Sequence, residues 1–272
     1  MKRSLAGGIA RAMRGNPFVL LGLLVGLGLA SRAGAMDLDL EGYARLLARH
    51  TRAVADIAGT RVAYGALRRD PDWPRLVASL AAAEPAGLAS REARLAFWIN
   101  AYNILAIDLV VQHFPKQSIR DIGSWLRPVW KRPAGRVGGR PISLDEIENE
   151  ILRPMGEPRI HAAIVCASLS CPPLARQPYR AEHLDAQLDR NVRRWLADPG
   201  KGARVDEGAD ILWLSPILDW FADDFQASGG VRAFVREFGP EEVVAWLRRH
   251  GEGGRIRFLD YDWRLNALPP PG

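Results

Sequence analysis

Apolar positions recur at helical spacing along most of this chain. Leu40, Tyr43, Ala44, Leu46 and Leu47 form one stripe over residues 38–48, behind an acidic start. A second helix is predicted over 73–83, with Pro74 in its first turn. The strongest pattern runs from Ser90 to His113. Ser90 is placed to cap that helix and Glu92 puts an acid in the first turn, where the helix dipole favours it. Phe97, Trp98, Ala101, Ile104, Leu105 and Leu109 then fall on so many sides that the helix is predicted to be central and covered. Ser143 with Glu146 reads as a capping box opening a helix over 143–152. Leu184, Leu188, Val192 and Trp195 make one face of a helix over 180–197.

Shorter signals fill the remainder. Residues 132–141 read as a loop or hairpin, 203–214 as a hairpin, and 255–262 as a late strand of alternating charged and apolar residues. Two short helices, 229–238 and 241–250, are separated by Gly239-Pro240. Helices and strands do not alternate regularly, which argues against a doubly wound nucleotide fold. The glycines also lack the spacing of either phosphate-cradling motif. The expected class is α+β: a single helix-rich domain with a small, mostly antiparallel sheet.

The amino terminus departs from this pattern. A basic segment precedes Phe18–Ala30, an uncharged apolar run of 13 residues. Spanning a bilayer takes about 20 residues, so the run fits a secretory leader better than a permanent span. Ala33-Gly34-Ala35 supplies small residues for cleavage after Ala35. The expectation is a signal peptide at 1–35 and a periplasmic or secreted globular domain at 36–272, with no membrane span after cleavage. An uncleaved anchor is the alternative.

Charge supports that division. The 272 residues carry 37 Lys and Arg against 31 Asp and Glu, but Lys2, Arg3, Arg11, Arg14 and Arg32 precede the cleavage point with no acid among them. The remainder holds 32 basic and 31 acidic residues. A nearly neutral body lacks the footprint of a nucleic-acid binder.

Candidate chemistry concentrates in Arg159 to Leu174 (RIHAAIVCASLSCPPL), which holds both cysteines of the chain, Cys166 and Cys171. Three readings remain open. The two sulfurs pair in an oxidising compartment; Cys166 is a nucleophile activated by an imidazole; or Cys166 is a small buried apolar residue. His161 serves Cys166 only if the backbone turns between them, because five positions along a strand or a helix separate the two side chains. The two cysteines and one histidine do not form a recognised zinc spacing, and no HExxH or GxSxG motif occurs, so neither a metal nor another cofactor is expected. Asn100 and Asn103 interrupt the apolar helix, and buried amides need partners; backbone at a loop is the preferred one. Glu148 lies near a buried face, where a structural ion pair is the expected fate. Asp219-Trp220 and Asp262-Trp263 repeat an acid beside an aromatic ring, which suits either ligand stacking or core packing.

Taken together, FWINAYNILAI (Phe97 to Ile107), SIRDI, ISLDEIENEILRP, RIHAAIVCASLSCPPL, LDAQLDR, LSPILDWFADDF and YDWRLN resemble the domain of unknown function 547 family from about Arg91 to Asn266. The resemblance implies that Asn100, Tyr102, Asn103, Glu148, His161, Cys166, Asp219, Tyr261, Asp262 and Asn266 belong to the family pattern. The position of Cys171 varies in that pattern, which favours Cys166 as the important thiol and counts against an obligatory disulfide. The expected function is a thiol-dependent hydrolase or acyltransferase acting on amide or ester bonds. In it Cys166 attacks, His161 takes the proton, Asp262 or Asn100 orients the imidazole, and backbone N–H groups at Ala167-Ser168 hold the oxyanion. Asn103, Tyr102, Trp220 and Tyr261 are candidates for substrate contact. The alternative is a non-catalytic envelope module that binds a peptide, glycan or partner protein through an aromatic cleft.

Overall fold

Helix α4 (Arg91–His113) is the element around which the others pack, and its sequence explains why. The Ser90 hydroxyl caps it by accepting the Ala93 N–H at 3.0 Å. Every residue from Leu95 to Val111 except Phe97 is buried. By length and composition α4 is long and apolar enough to cross a membrane, which no stretch after the leader was expected to be, but it is covered by protein on nearly all sides. The computed structural model describes residues 37–124 and 127–269. The leader and cleavage site expected at 1–35 lie outside them.

Around α4 lie α1 (Leu40–His50), the antiparallel hairpin β1 (Thr51–Ala53) and β2 (Thr60–Val62), the short α2 (Tyr64–Leu67) and α3 (Asp72–Ala82). A second hairpin pairs β3 (Pro133–Val137) with β4 (Arg140–Ser143). Its two-residue turn is Gly138-Gly139, both at positive φ (57° and 71°), as a tight hairpin of this length demands. Apolar side chains from these elements join α4 in one hydrophobic cluster. A second cluster is built by α5 (Leu184–Leu196), the short α6 (Ile217–Trp220), α7 (Gly230–Phe238), α8 (Glu241–His250) and the sheet β5 (Ala203–Asp206), β6 (Ile211–Leu214) and β7 (Arg255–Phe258), with Trp195 and Trp246 inside it. The class is therefore α+β, with three small and mostly antiparallel sheets among helices.

Two local expectations need correction. The 255–262 strand stops at Phe258 and pairs parallel to β6, Ile211 opposite Arg255, while the 203–214 hairpin is antiparallel as expected. The segment opened by Ser143 is capped, its hydroxyl accepting the Glu146 N–H at 3.0 Å, but the Glu146 carboxylate pairs with Arg140 instead of closing a box. From Glu146 to Leu152 the backbone is a π-helix, a widened turn often found at functional sites.

The unusual part of the fold is a buried irregular segment. Every residue from Ile160 to Leu174 except Cys166 is buried, yet none lies in a regular strand. Buried peptide groups need partners, and here side chains supply many of them. Asn103 donates to the Ala163 carbonyl (2.9 Å) and accepts the Val165 N–H (2.8 Å). Asn100 does the same for Tyr179, donating at 2.8 Å and accepting at 2.9 Å. Asn191 of α5 donates to the carbonyls of Ala162 and Pro173. The buried Lys201 ammonium donates to Ala58 and Cys171 at 2.9 and 2.8 Å and to Leu169 at 3.4 Å. Desolvation lowers its pKa to about 8.

Replacing Asn103 by Leu removes both bonds and leaves the Ala163 carbonyl and Val165 N–H buried without partners. The expected loss of unfolding free energy is about 3 kcal/mol, read from urea denaturation. A loss under about 0.5 kcal/mol, the range of an ordinary surface change, would show that this segment does not depend on the amide.

Candidate functional site

The exit of the buried segment and the end of the chain meet over a cavity. Residues 167–170 are lined by the stretch Tyr261 to Asn266 through Leu169 N–H to Arg264 O (2.8 Å), Ser170 N–H to Asp262 O (3.2 Å) and Asn266 N–H to Ala167 O (2.9 Å). The Asp262 N–H also donates to the Ser170 hydroxyl at 2.8 Å. This pairing carries Tyr261 and Trp263 over the cysteines. Together with Trp130, Trp220 and Phe221 they wall a cavity of about 230 Å³, with Tyr102, Asp145, Glu148, His161, Cys166 and Cys171 also on its surface. The rings form a continuous cluster: Tyr261 and Trp263 at 4.4 Å, Trp220 and Tyr261 at 5.0 Å, Trp220 and Trp263 stacked at 6.0 Å. Trp220 is half exposed, and the Arg120 guanidinium lies 5.0 Å from the Trp263 ring.

Cys166 and Cys171 form a disulfide, their Cα atoms 6.3 Å apart. Ala167, between them, adopts a left-handed φ of 63°, which a residue with a Cβ rarely takes. The Cys166 N–H donates to Cys171 Sγ at 3.0 Å, and Tyr261 Oη lies 3.2 Å from both sulfurs. The Ser168 hydroxyl donates to Tyr261 Oη at 2.9 Å and sits 3.1 Å from Cys166 Sγ. Burial raises the Tyr261 pKa, so its phenol stays protonated and available as a donor.

The structure separates the residues proposed as a triad. His161 is buried, and its Nε2 meets Asp224 Oδ2 at 2.7 Å; its ring stacks on Phe221 at 4.2 Å. Burial lowers the His161 pKa, so the neutral ring donates to Asp224. Burial would raise Asp224, but its hydrogen bonds to His161 and Arg153 hold it well below the usual carboxylate range. The charge comes from Arg153, which grips Asp224 with two bonds of 2.7 and 2.8 Å. Asp262 pairs with Arg264, which lowers its pKa, and so does not orient an imidazole. Asn100 and Asn103 are occupied by backbone at loops, the partner their helical setting favoured. Among the described residues no histidine nitrogen bonds either sulfur. In this geometry Cys166 is bonded to Cys171 and the imidazole points to a different carboxylate.

Tyr102, Trp220 and Tyr261 do face the cavity, whereas Asp219 is exposed outside it and Asn266 is buried, accepting the Tyr64 hydroxyl at 2.7 Å. Sequence reasoning missed Asp224, Arg153, Asp145, Phe221 and Trp130. For Asp224 the only local signal was the pair of acids, Asp223 and Asp224, between Ala222 and Phe225; for Trp130 there was none.

Glu148 is the carboxylate of greatest interest. The π-helix brings it, with Asp145 and Asn149, to the cavity wall. Desolvation raises its pKa to about 7, and in place of the expected ion pair its one hydrogen bond among the described residues is from the Tyr102 hydroxyl at 3.3 Å. Among the described residues no group of three or more His, Cys, Asp or Glu is arranged to hold a metal.

Residues 86–196 match the family model described as Protein of unknown function, DUF547. That span includes α4, the β3–β4 hairpin, the π-helix, the disulfide segment and α5; the blocks around Trp220 and Tyr261 lie beyond it. No curated protein and no solved structure matches the chain.

An acid whose pKa is raised by folding binds its proton more tightly in the folded state. Glu148 therefore costs stability progressively as pH climbs from its unfolded value near 4.5 through about 7. Glu148→Gln is expected to match the parent near about pH 5 and to exceed it by on the order of 2–3 kcal/mol near about pH 8. Urea denaturation at the two pH values measures this, and an equal difference at both would remove the buried-acid assignment.

Proposed function

We propose that this chain, a member of the DUF547 family through residues 86–196, is a ligand-binding protein whose aromatic cleft takes a cationic side chain of an extended peptide. The observation that carries this reading is the pairing of the Trp130–Trp220–Tyr261–Trp263 wall with a half-buried carboxylate, Glu148, that has no cation at hydrogen-bond distance among the described residues. Aromatic faces attract ammonium and guanidinium groups, the more strongly where water is excluded. A cation beside Glu148 supplies the charge its burial lacks, and Asp145 adds to the field. Trp130 and Trp263 also wall an adjoining groove with Arg120 and Asp121, which offers room for chain next to the anchored residue.

A thiol-dependent hydrolase is the less supported reading, because it requires the disulfide to open and a base to approach Cys166. The apolar segment Phe18–Ala30 supports export as one domain over 36–272, so the proposed partner belongs to the cell envelope or the exterior. Mass measurement of the mature amino terminus tests this: a chain beginning at Met36 is expected, and an intact Met1 in the envelope fraction would mean an anchor.

The cation reading has a pH signature. A bound cation favours ionised Glu148, so affinity rises as pH passes upward through about 7. Titration of short Lys- or Arg-containing peptides, followed by tryptophan fluorescence, is expected to show about tenfold tighter binding near about pH 8 than near about pH 6. Glu148→Gln should remove that dependence, and Trp220→Ala should weaken binding about fivefold or more. Equal affinity for acidic or neutral peptides, or for neutral oligosaccharides, with no pH dependence would overturn the reading.

A further inference from the structure

The disulfide is more than a staple, because it forms part of the cavity surface. Cys166 is half-buried and borders the cavity, whereas Cys171 is 3% exposed. Exchange requires a sulfur that an incoming thiolate can reach and a second sulfur that leaves readily. Here those roles fall on different atoms. The leaving sulfur, Cys171 Sγ, already accepts the Cys166 N–H at 3.0 Å and the Tyr261 hydroxyl at 3.2 Å. Ser168 backs the phenol by donating to its oxygen at 2.9 Å. Burial opposes a thiolate at Cys171, but donors aimed at it favour the charged form. Neither donor is needed by a neutral disulfide sulfur, a weak acceptor; both gain strength when charge develops there.

We propose that the Cys166–Cys171 pair is an exchange-active disulfide that oxidises a dithiol entering through the aromatic cleft. It shares the entrance of the ligand-binding reading, and rests on that cleft admitting a ligand, but not on the ligand being cationic. A thiolate of the dithiol attacks Cys166 Sγ. The new sulfur–sulfur bond forms there as the Cys166–Cys171 bond breaks, and the electron pair leaves on Cys171, stabilised by the Cys166 N–H and Tyr261. The second thiolate of the dithiol then attacks its own sulfur in the mixed disulfide and releases Cys166. The dithiol loses two electrons and becomes a disulfide. The protein gains the two electrons as a pair of thiols, its two protons being those the dithiol gave up.

The test uses the folded full chain with dithiothreitol as the dithiol, quenched by acid and read by alkylation and mass. Both thiols are expected to appear without unfolding. Tyr261→Phe should slow their appearance about tenfold, the worth of one hydrogen bond to a developing charge. In Cys171→Ser, oxidised glutathione should form a mixed disulfide at Cys166. If Tyr261→Phe loses its fold by circular dichroism, Ser168→Ala replaces it, with a slowing of about threefold. A bridge that opens only at the rate of global unfolding, a Tyr261→Phe rate equal to the parent's, or no adduct at Cys166 would each overturn the proposal. Loss of peptide binding with intact exchange would strike only the cationic-ligand reading, and intact binding with a closed bridge only this one.

Discussion

The structure depends on satisfying the backbone of a buried segment that, past one 3-10 turn ending at Ala162, is neither helix nor sheet. Irregular chain normally runs over the surface, where water completes its hydrogen bonds. Here Ile160 to Leu174 passes through the interior, and polar side chains take the place of water. Two amides one helical turn apart on α4, Asn100 and Asn103, grip separate loops through both donor and acceptor. Asn191 and Lys201 hold the same segment from the other side. Each grip reaches a backbone group that would otherwise be buried and unpaired, so the energetic stake is desolvation as much as attraction. This accounts for polar residues in the long apolar helix α4 and for an ammonium with no carboxylate at hydrogen-bond distance among the described residues.

Once that segment is held, the rest of the site follows. Its exit carries Ala167 in a left-handed conformation between two bonded cysteines, and its edge offers peptide groups that Tyr261–Asn266 completes like a short extra strand. That pairing sets two aromatic rings above the sulfurs. The π-helix brings Glu148 and Asp145 to the opposite wall. A half-buried carboxylate in a cavity walled by rings, and a disulfide with two donors on Cys171 Sγ, are costly arrangements for an inert core. They make physical sense in a cavity that receives a ligand, since charge brought from outside or developed at sulfur would use the groups already in place.

The histidine shows how electrostatics redirected the expected chemistry. In sequence, His161 and Cys166 look like a base and its nucleophile. In space, the ring faces Asp224, which is held ionised by Arg153, and stacks on Phe221. The imidazole is a buried donor that ties the disulfide segment to the Ala222–Ser228 turn. The same local pattern of thiol and imidazole would be compatible with catalysis had the backbone between them turned differently, and only contacts far apart along the chain decide that turn.

Local rules made much of the fold legible. The Ser90 cap, the all-round apolar character of α4, the amphipathic face of α5 and the Gly239-Pro240 break each depend on neighbours within a few residues, and sequence preserves those neighbours. The need of Asn100 and Asn103 for buried partners was also legible, because an amide in an apolar helix allows few alternatives. By itself, then, the sequence determined the longer helices, the α+β class, the 203–214 hairpin and the residues with chemistry to offer, but not the β1–β2 hairpin. Which of those residues meet was decided by tertiary structure alone. Trp130 joining Trp263, Asp224 reaching His161 and Tyr261 settling over Cys166 and Cys171 are contacts between segments distant in sequence. Such contacts are selected by how whole surfaces pack and by which buried peptide groups still need a partner, and no short-range pattern encodes either.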